Sequence, residues 1–237
     1  MKRIILFGLV GLTLLIGLPK IASAIPDDYI DETLVYSTLN KGELELEYRF
    51  DYGRDRDDNE HFMAHTFGLE YGITNRWMID GSISIEHDSA DGTVFDSGRL
   101  ETRYRITEEN ESPVDIALSG EFNIERDDDG KLIPAFEPRL ILSKDIDNFN
   151  LTLNLPVEIP LREGHPEFIP ALGTSYKIAK MVRLGTEIKY GTDSHEGAVI
   201  PQVFLYFPHD ITAKLGYSHG FSDNHVDFGR LSLEFEF

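Results

Sequence analysis

The 237-residue chain has no cysteine, which removes disulfide frameworks, thiolate metal sites and cysteine nucleophiles together. Positive charge is scarce, with 22 Lys and Arg against 42 Asp and Glu and a formal net charge of -20. Lys2, Arg3 and Lys20 all fall in the first 24 residues, which hold no Asp or Glu, so the remainder is more acidic still. A field of that sign repels polyanions and excludes nucleic acid as a partner. No apolar run after residue 24 is long enough for a spanning helix, which excludes a helical membrane protein beyond that point. There is no His-Glu-x-x-His pattern, EF-hand loop or tight carboxylate cluster, so neither a metal nor a cofactor is expected. The acidic stretches Asp51 to Glu60 and Asp127 to Gly130 read as solvated loops, with loose calcium binding as the alternative. At 41% hydrophobic residues, the chain is nevertheless too apolar to be disordered.

The first segment has the make-up of an export signal. Lys2 and Arg3 precede the apolar run Ile4 to Leu18, and Ala22-Ser23-Ala24 supplies the small-x-small pattern of a cleavage site. Residues 1–24 are therefore expected to be a signal peptide cleaved after Ala24. Residues 25–41 are expected to form an N-terminal periplasmic segment, with insertion into the barrel lumen as the alternative.

From residue 42 to 237 the dominant signal is alternation with period two. Glu43-Leu44-Glu45-Leu46-Glu47-Tyr48-Arg49-Phe50 places apolar side chains on one face and charges on the other, as successive strand residues point oppositely. The pattern recurs in twelve runs near 42–52, 62–73, 77–87, 98–106, 114–125, 132–144, 149–160, 167–178, 182–191, 198–207, 211–220 and 226–237. Short connectors such as Thr74-Asn75-Arg76 alternate with mostly longer polar ones. Strands of this length cross a bilayer when tilted, and an even count returns both termini to one side.

A sandwich, a lipocalin-like barrel and a solenoid are the soluble competitors, and each would turn its apolar face inward. Tyr52, Tyr71, Trp77, Tyr104, Phe149, Tyr190 and Phe237 sit at the ends of the apolar-face runs, the pattern of interfacial aromatic girdles. The expected fold is thus all-β, a transmembrane antiparallel up-and-down β-barrel of about twelve strands in a bacterial outer membrane. Ile133-Pro134, Ile169-Pro170 and Ile200-Pro201, with Pro156 and Pro160, predict loosened pairing toward the extracellular rim, because proline donates nothing to the ladder.

The terminal strand, with Leu231, Leu233, Phe235 and Phe237 on one face and Phe237 last, resembles the C-terminal signal of bacterial outer-membrane barrels. That resemblance implies the barrel-assembly machinery and outer-membrane lipid as partners. Tyr71-Gly72-Ile73-Thr74-Asn75-Arg76 is similar to a tight periplasmic turn of the transporter family named after the meta-pathway of phenol degradation, and Tyr217 to Asn224 resembles the end of that family. The likeness implies a channel or transporter and leaves the solute open.

With charges inside, the lumen is lined by Asp80, Glu86, Glu101, Asp115, Glu121, Glu137, Glu158 and Glu187 against Arg103, Arg105, Arg139 and Lys189. The excess of carboxylates favours cations in transit, so the expected function is a porin-like channel for small solutes. Two alternatives stand beside it. Paired side chains filling a narrow lumen would make a plugged, structural barrel. His87-Asp88-Ser89 resembles the His-x-Ser motif of outer-membrane lipid esterases, with Glu101 as the third group, although Glu101 falls on the opposite face. The basic cluster Arg99, Arg103 and Arg105 is expected to orient an anionic solute or to pair with Glu121 and Glu125.

Overall fold

The structure, a computed structural model, describes residues 28–55, 61–88, 92–108, 111–127, 129–221 and 226–237. The expected signal peptide, Ile25 and Ser89 lie outside the described residues. The strands are β1 (Leu44–Asp55), β2 (His61–Thr74), β3 (Trp77–Asp88), β4 (Gly92–Arg105), β5 (Asp115–Arg126), β6 (Leu132–Ile146) and β7 (Phe149–Pro160). They continue with β8 (Glu167–Phe168), β9 (Ala171–Ala179), β10 (Val182–Tyr190), β11 (Gly197–Phe207), β12 (Ile211–Gly220) and β13 (Val226–Glu236).

Each long strand pairs antiparallel with its sequence neighbour, and β1 closes on β13 from Glu45↔Glu236 to Asp55↔Val226. The chain skips β8 in closing: β7 pairs with β9 from Phe149↔Tyr176 to Asn154↔Ala171. Twelve strands thus form a closed barrel, and β8 is a short addition against the upper part of β7 at Val157↔Phe168 and Glu158↔Glu167. Closure leaves the main sheet without an open edge, which satisfies backbone groups where no water can. Tight connections gather at one end, here the turn end, and the longer ones at the other, the loop end. Asp147, His209 and Asp210 hold positive φ of 55°, 70° and 56° in the short turns, the left-handed backbone that tight reversals between twisted strands demand.

The two faces are inverted relative to a soluble protein. On β2, Met63, Phe67, Leu69 and Tyr71 are 38–52% exposed, while Ala64, Thr66 and Glu70 between them are at most 7% exposed. The same holds for Ile83 against Ser82 and Ser84, and for Leu100 against Glu101. A soluble sandwich or barrel would bury the first set. The outer surface is instead an apolar belt whose ends carry the exposed rings of Tyr71, Trp77, Tyr104, Phe149 and Tyr190.

Departures from the expected strands have local causes. The run expected over 167–178 breaks at Ile169-Pro170, separating β8 from β9. Pairing between β11 and β12 lapses over Ile200-Pro201, between Val199↔His219 and Gln202↔Gly216. Between β6 and β7 it lapses from Phe136↔Ile159 to Arg139↔Pro156. At Ile133-Pro134, by contrast, β6 pairs with β5 without a break. Strand β4 starts at Gly92 rather than near 98, because a register shift between Ser84 and Ile85 absorbs the extra residue and lets pairing continue to Asp88↔Gly92.

Candidate functional site: a lumen occupied by the N-terminal hairpin

Inside the barrel lies the segment before β1. Residues 28–40, within the segment read from sequence as periplasmic or alternatively as inserted into the lumen, rise from the turn end to mid-height, reverse at Asp31-Glu32, and descend to the 74–76 turn. Asp28 bridges Leu34, and the Tyr29 N–H donates to the Thr33 carbonyl at 2.8 Å, which makes the reversal a tight hairpin. Its apolar side chains supply the physical reason. Tyr29, Leu34, Val35 and Tyr36 are at most 2% exposed against Ala117, Ile141 and Phe204, and Ile30 packs with Ala198 and Ile200. Two inward glycines make room, since a Cβ at Gly173 would lie 2.8 Å from the Tyr29 ring and one at Gly216 2.8 Å from Ile30.

The barrel wall reads the hairpin backbone group by group. Asn154 accepts the Leu34 N–H at 2.8 Å and donates to the Leu34 carbonyl at 2.8 Å. The Glu187 carboxylate accepts three successive N–H groups, from Asp31 at 3.2 Å, Glu32 at 2.6 Å and Thr33 at 3.0 Å. This is an anion nest with the roles reversed, the loop supplying the donors and the wall the anion. Arg103 donates to the carbonyls of Val35 and Ser37 at 3.3 and 3.2 Å, and Arg230 donates to that of Ile30. The Tyr29 hydroxyl donates to Asn150 at 2.8 Å.

Charges fix the tip. Lys189 meets Asp31 at 2.5 Å and Glu32 at 3.3 Å, and Lys214 pairs with Asp28. Burial alone would raise the Asp31 carboxyl, but Lys189 and Arg230 together bring it below its ordinary value. Asp28 behaves alike: burial raises it, and Lys214 more than offsets that.

Above the tip, toward the loop end, the lumen is an open vestibule of about 960 Å³. Ten carboxylates line it against five arginines. Arg230 is committed to Asp51 by a two-pronged pair at 2.6 and 2.9 Å, and Arg99 to Asp80 at 2.5 Å. Among the described residues, no group of His, Asp and Glu has the geometry of a metal site.

The expected lumen residues therefore divide. Glu86, Glu121, Glu137, Arg139 and Glu158 line the vestibule, with Arg139 donating to Glu137 at 3.1 Å. Glu101, Arg103, Glu187 and Lys189 pack on the hairpin or beside it. Asp80 holds Arg99, and Asp115 is fully buried near the start of β5. Arg105 turns to the turn end, where it donates to the Asn75 carbonyl at 2.7 Å and meets Glu108 at 3.0 Å. The basic cluster thus does not act together, and neither Arg99 nor Arg105 is bonded to Glu121 or Glu125. Sequence reasoning missed Asn150 and Asn154, which pass on the polar face of β7 for ordinary lumen residues. A signal was present in Ile141, Ile200 and Phe204, apolar residues at positions where the alternation calls for polar ones.

His87 is exposed and bonds the Thr93 hydroxyl at 3.0 Å, whereas Glu101 is 2% exposed on the inner face. The barrel wall separates the histidine from its supposed third group. Leu231, Leu233, Phe235 and Phe237 share the outer face of the closing strand, with Phe235 and Phe237 exposed. Asp127 and Asp129 serve the β5–β6 connection, binding the Lys131 N–H at 2.7 Å and its ammonium at 2.8 Å.

The fold is that of a porin-like outer-membrane β-barrel of twelve strands. Among solved structures, the chain is similar to the COG4313 outer membrane channel from Pseudomonas putida F1, with a TM-score of 0.63 and 12% identity over 85% of this chain and 97% of that one. It is similar also to the KdgM porin in complex with disordered oligogalacturonate, with a TM-score of 0.60 and 10% identity over 81% and 99%. The NanC porin follows with a TM-score of 0.59 and 13% identity over 80% and 98%. No protein-family model matches the chain, and no curated protein matches it in sequence.

Proposed function

We propose that the chain is an outer-membrane channel for passive passage of small solutes, with a preference for cations and with residues 28–40 as its internal gate. The observation that carries this reading is the vestibule, open toward the loop end and lined by twice as many carboxylates as arginines. Low-dielectric walls around an excess of one charge focus the field and concentrate counter-ions. The porin fold of the neighbours supports the same class, as does the resemblance of the turn Tyr71 to Arg76 to that of the phenol meta-pathway family. In this reading the leader is cleaved after Ala24, the apolar belt meets outer-membrane lipid, and the terminal strand is handed to the assembly machinery.

Planar-bilayer recording under a potassium chloride gradient tests the proposal. The native chain is expected to be closed most of the time. Gly173→Val with Gly216→Val, whose side chains occupy the space of Tyr29 and Ile30, should raise the open fraction and give a cation-selective reversal potential. Silence in both proteins, with heat-modifiable migration on gels proving that each has folded, favours the plugged structural barrel. That second reading has the occupied lumen in its support.

A further inference from the structure

The vestibule has chemistry beyond its net charge. On β5, Glu121, Asn123 and Glu125 all face inward at two-residue spacing, a ladder with steps of about 7 Å. Glu158 on β7 adds a fourth oxygen-bearing group to the same wall. None of the three carboxylates has a salt-bridge partner among the described residues. Asn123 is 7% exposed and lines the cavity, yet its carbonyl oxygen is buried without a hydrogen-bond partner. A buried acceptor left unmade costs about 1–3 kcal/mol in general, which a donating ligand restores.

Elsewhere around the lumen two aromatic rings stand among Arg49, Asp51 and Arg230, with the Arg230 guanidinium 5.0 Å from the centre of the Phe228 ring. Phe62 on β2 and Phe228 on β13 both stand beside Gly53 of β1 in the strand register, and both line the cavity. Glycine is required there, because a Cβ at Gly53 would lie 2.2 Å from the Phe62 ring. In the closed ring of twelve strands β13 stands five strands from β5, so Phe228 lies across the lumen from the ladder, and Phe62 on β2 stands a quarter-turn from it.

We propose that the vestibule binds an organic ammonium ion, its N–H donors on Glu121, Asn123 and Glu125 and its apolar body on Phe62 and Phe228. A bare metal ion fits less well, since no group of these carboxylates has the geometry of a metal site. An anion meets Glu121, Glu125 and Glu158. The volume of 960 Å³ suits a small organic molecule. That this ligand is a transported solute rests on the channel reading; that it binds does not.

The test is calorimetric titration of the refolded full chain in detergent with benzylamine, methylamine, benzyl alcohol, benzoate and calcium. Benzylammonium should bind at least tenfold more tightly than the other four. Asn123→Leu and Glu125→Gln should each weaken it at least fivefold, and Phe228→Ala should bring it to the level of methylammonium. Equal binding of calcium or methylammonium overturns the proposal, as does benzylammonium affinity unchanged in Asn123→Leu. Bilayer recordings on the native chain and on the Gly173→Val, Gly216→Val variant keep the two claims apart. Cation-selective conductance without benzylammonium binding sinks the site alone, and binding with both barrels silent sinks the channel alone.

Discussion

Asn154 is the side chain on which the hairpin's backbone is most completely read, because one amide satisfies both polar groups of Leu34. Leu34 is 2% exposed, so without Asn154 its N–H and carbonyl would be buried with that amide's bonds unmade. Each such bond contributes about 1 kcal/mol net, and two together about 2 kcal/mol, or roughly thirtyfold in the ratio of docked to released hairpin. Asn154→Ala should therefore speed maleimide labelling of a Thr33→Cys variant by about that factor. The chain has no other cysteine to confuse the readout. Labelling unchanged from the parent would mean that Glu187 and the apolar contacts hold the hairpin without help.

At the scale of elements, hairpin docking is coupled to protons through its two aspartates. Both carboxyls lie below their ordinary 3.8 when docked, so their pairs with Lys189 and Lys214 contribute fully above about pH 4. That contribution fades as the pH falls through the docked values. Acidification below pH 4 should release the hairpin and raise its protease sensitivity in the refolded barrel, while raising the pH from 6 to 8 should change nothing through these groups. Asp31→Asn should abolish much of the acid response and loosen the hairpin at neutral pH. The strands were legible in the sequence because each has one wet and one lipid face, and period two records that division directly. The hairpin was not, since residues 28–40 carry no strand period. Its partners are scattered over β4 to β7 and β9 to β13, so only the closed barrel brings them together. The vestibule's carboxylates were legible as a polar face, but their separation from the hairpin's binding wall depends on how far the Asp31-Glu32 tip rises.

For the whole molecule, the inversion of faces sets the solvent in which the fold is stable. Leu100 is 59% exposed on the outer belt, while its neighbours Glu101 and Arg103 are buried within. Leu100→Arg should destabilise the barrel in lipid bilayers by about 2–4 kcal/mol if it lies near the midplane, less toward an interface. Urea unfolding in vesicles measures this, and an unchanged midpoint would place that face outside the hydrocarbon.

Between the hairpin and β1 lie only Lys41, Gly42 and Glu43, so the hairpin and its seat are ends of one short tether. A segment tied this closely meets its own binding wall at an effective concentration of millimolar or more, whatever the protein concentration. Any free peptide offering the same backbone groups competes against that figure. The hairpin therefore docks as a property of the single chain, and what releases it must weaken the seat instead of outnumbering the segment that fills it.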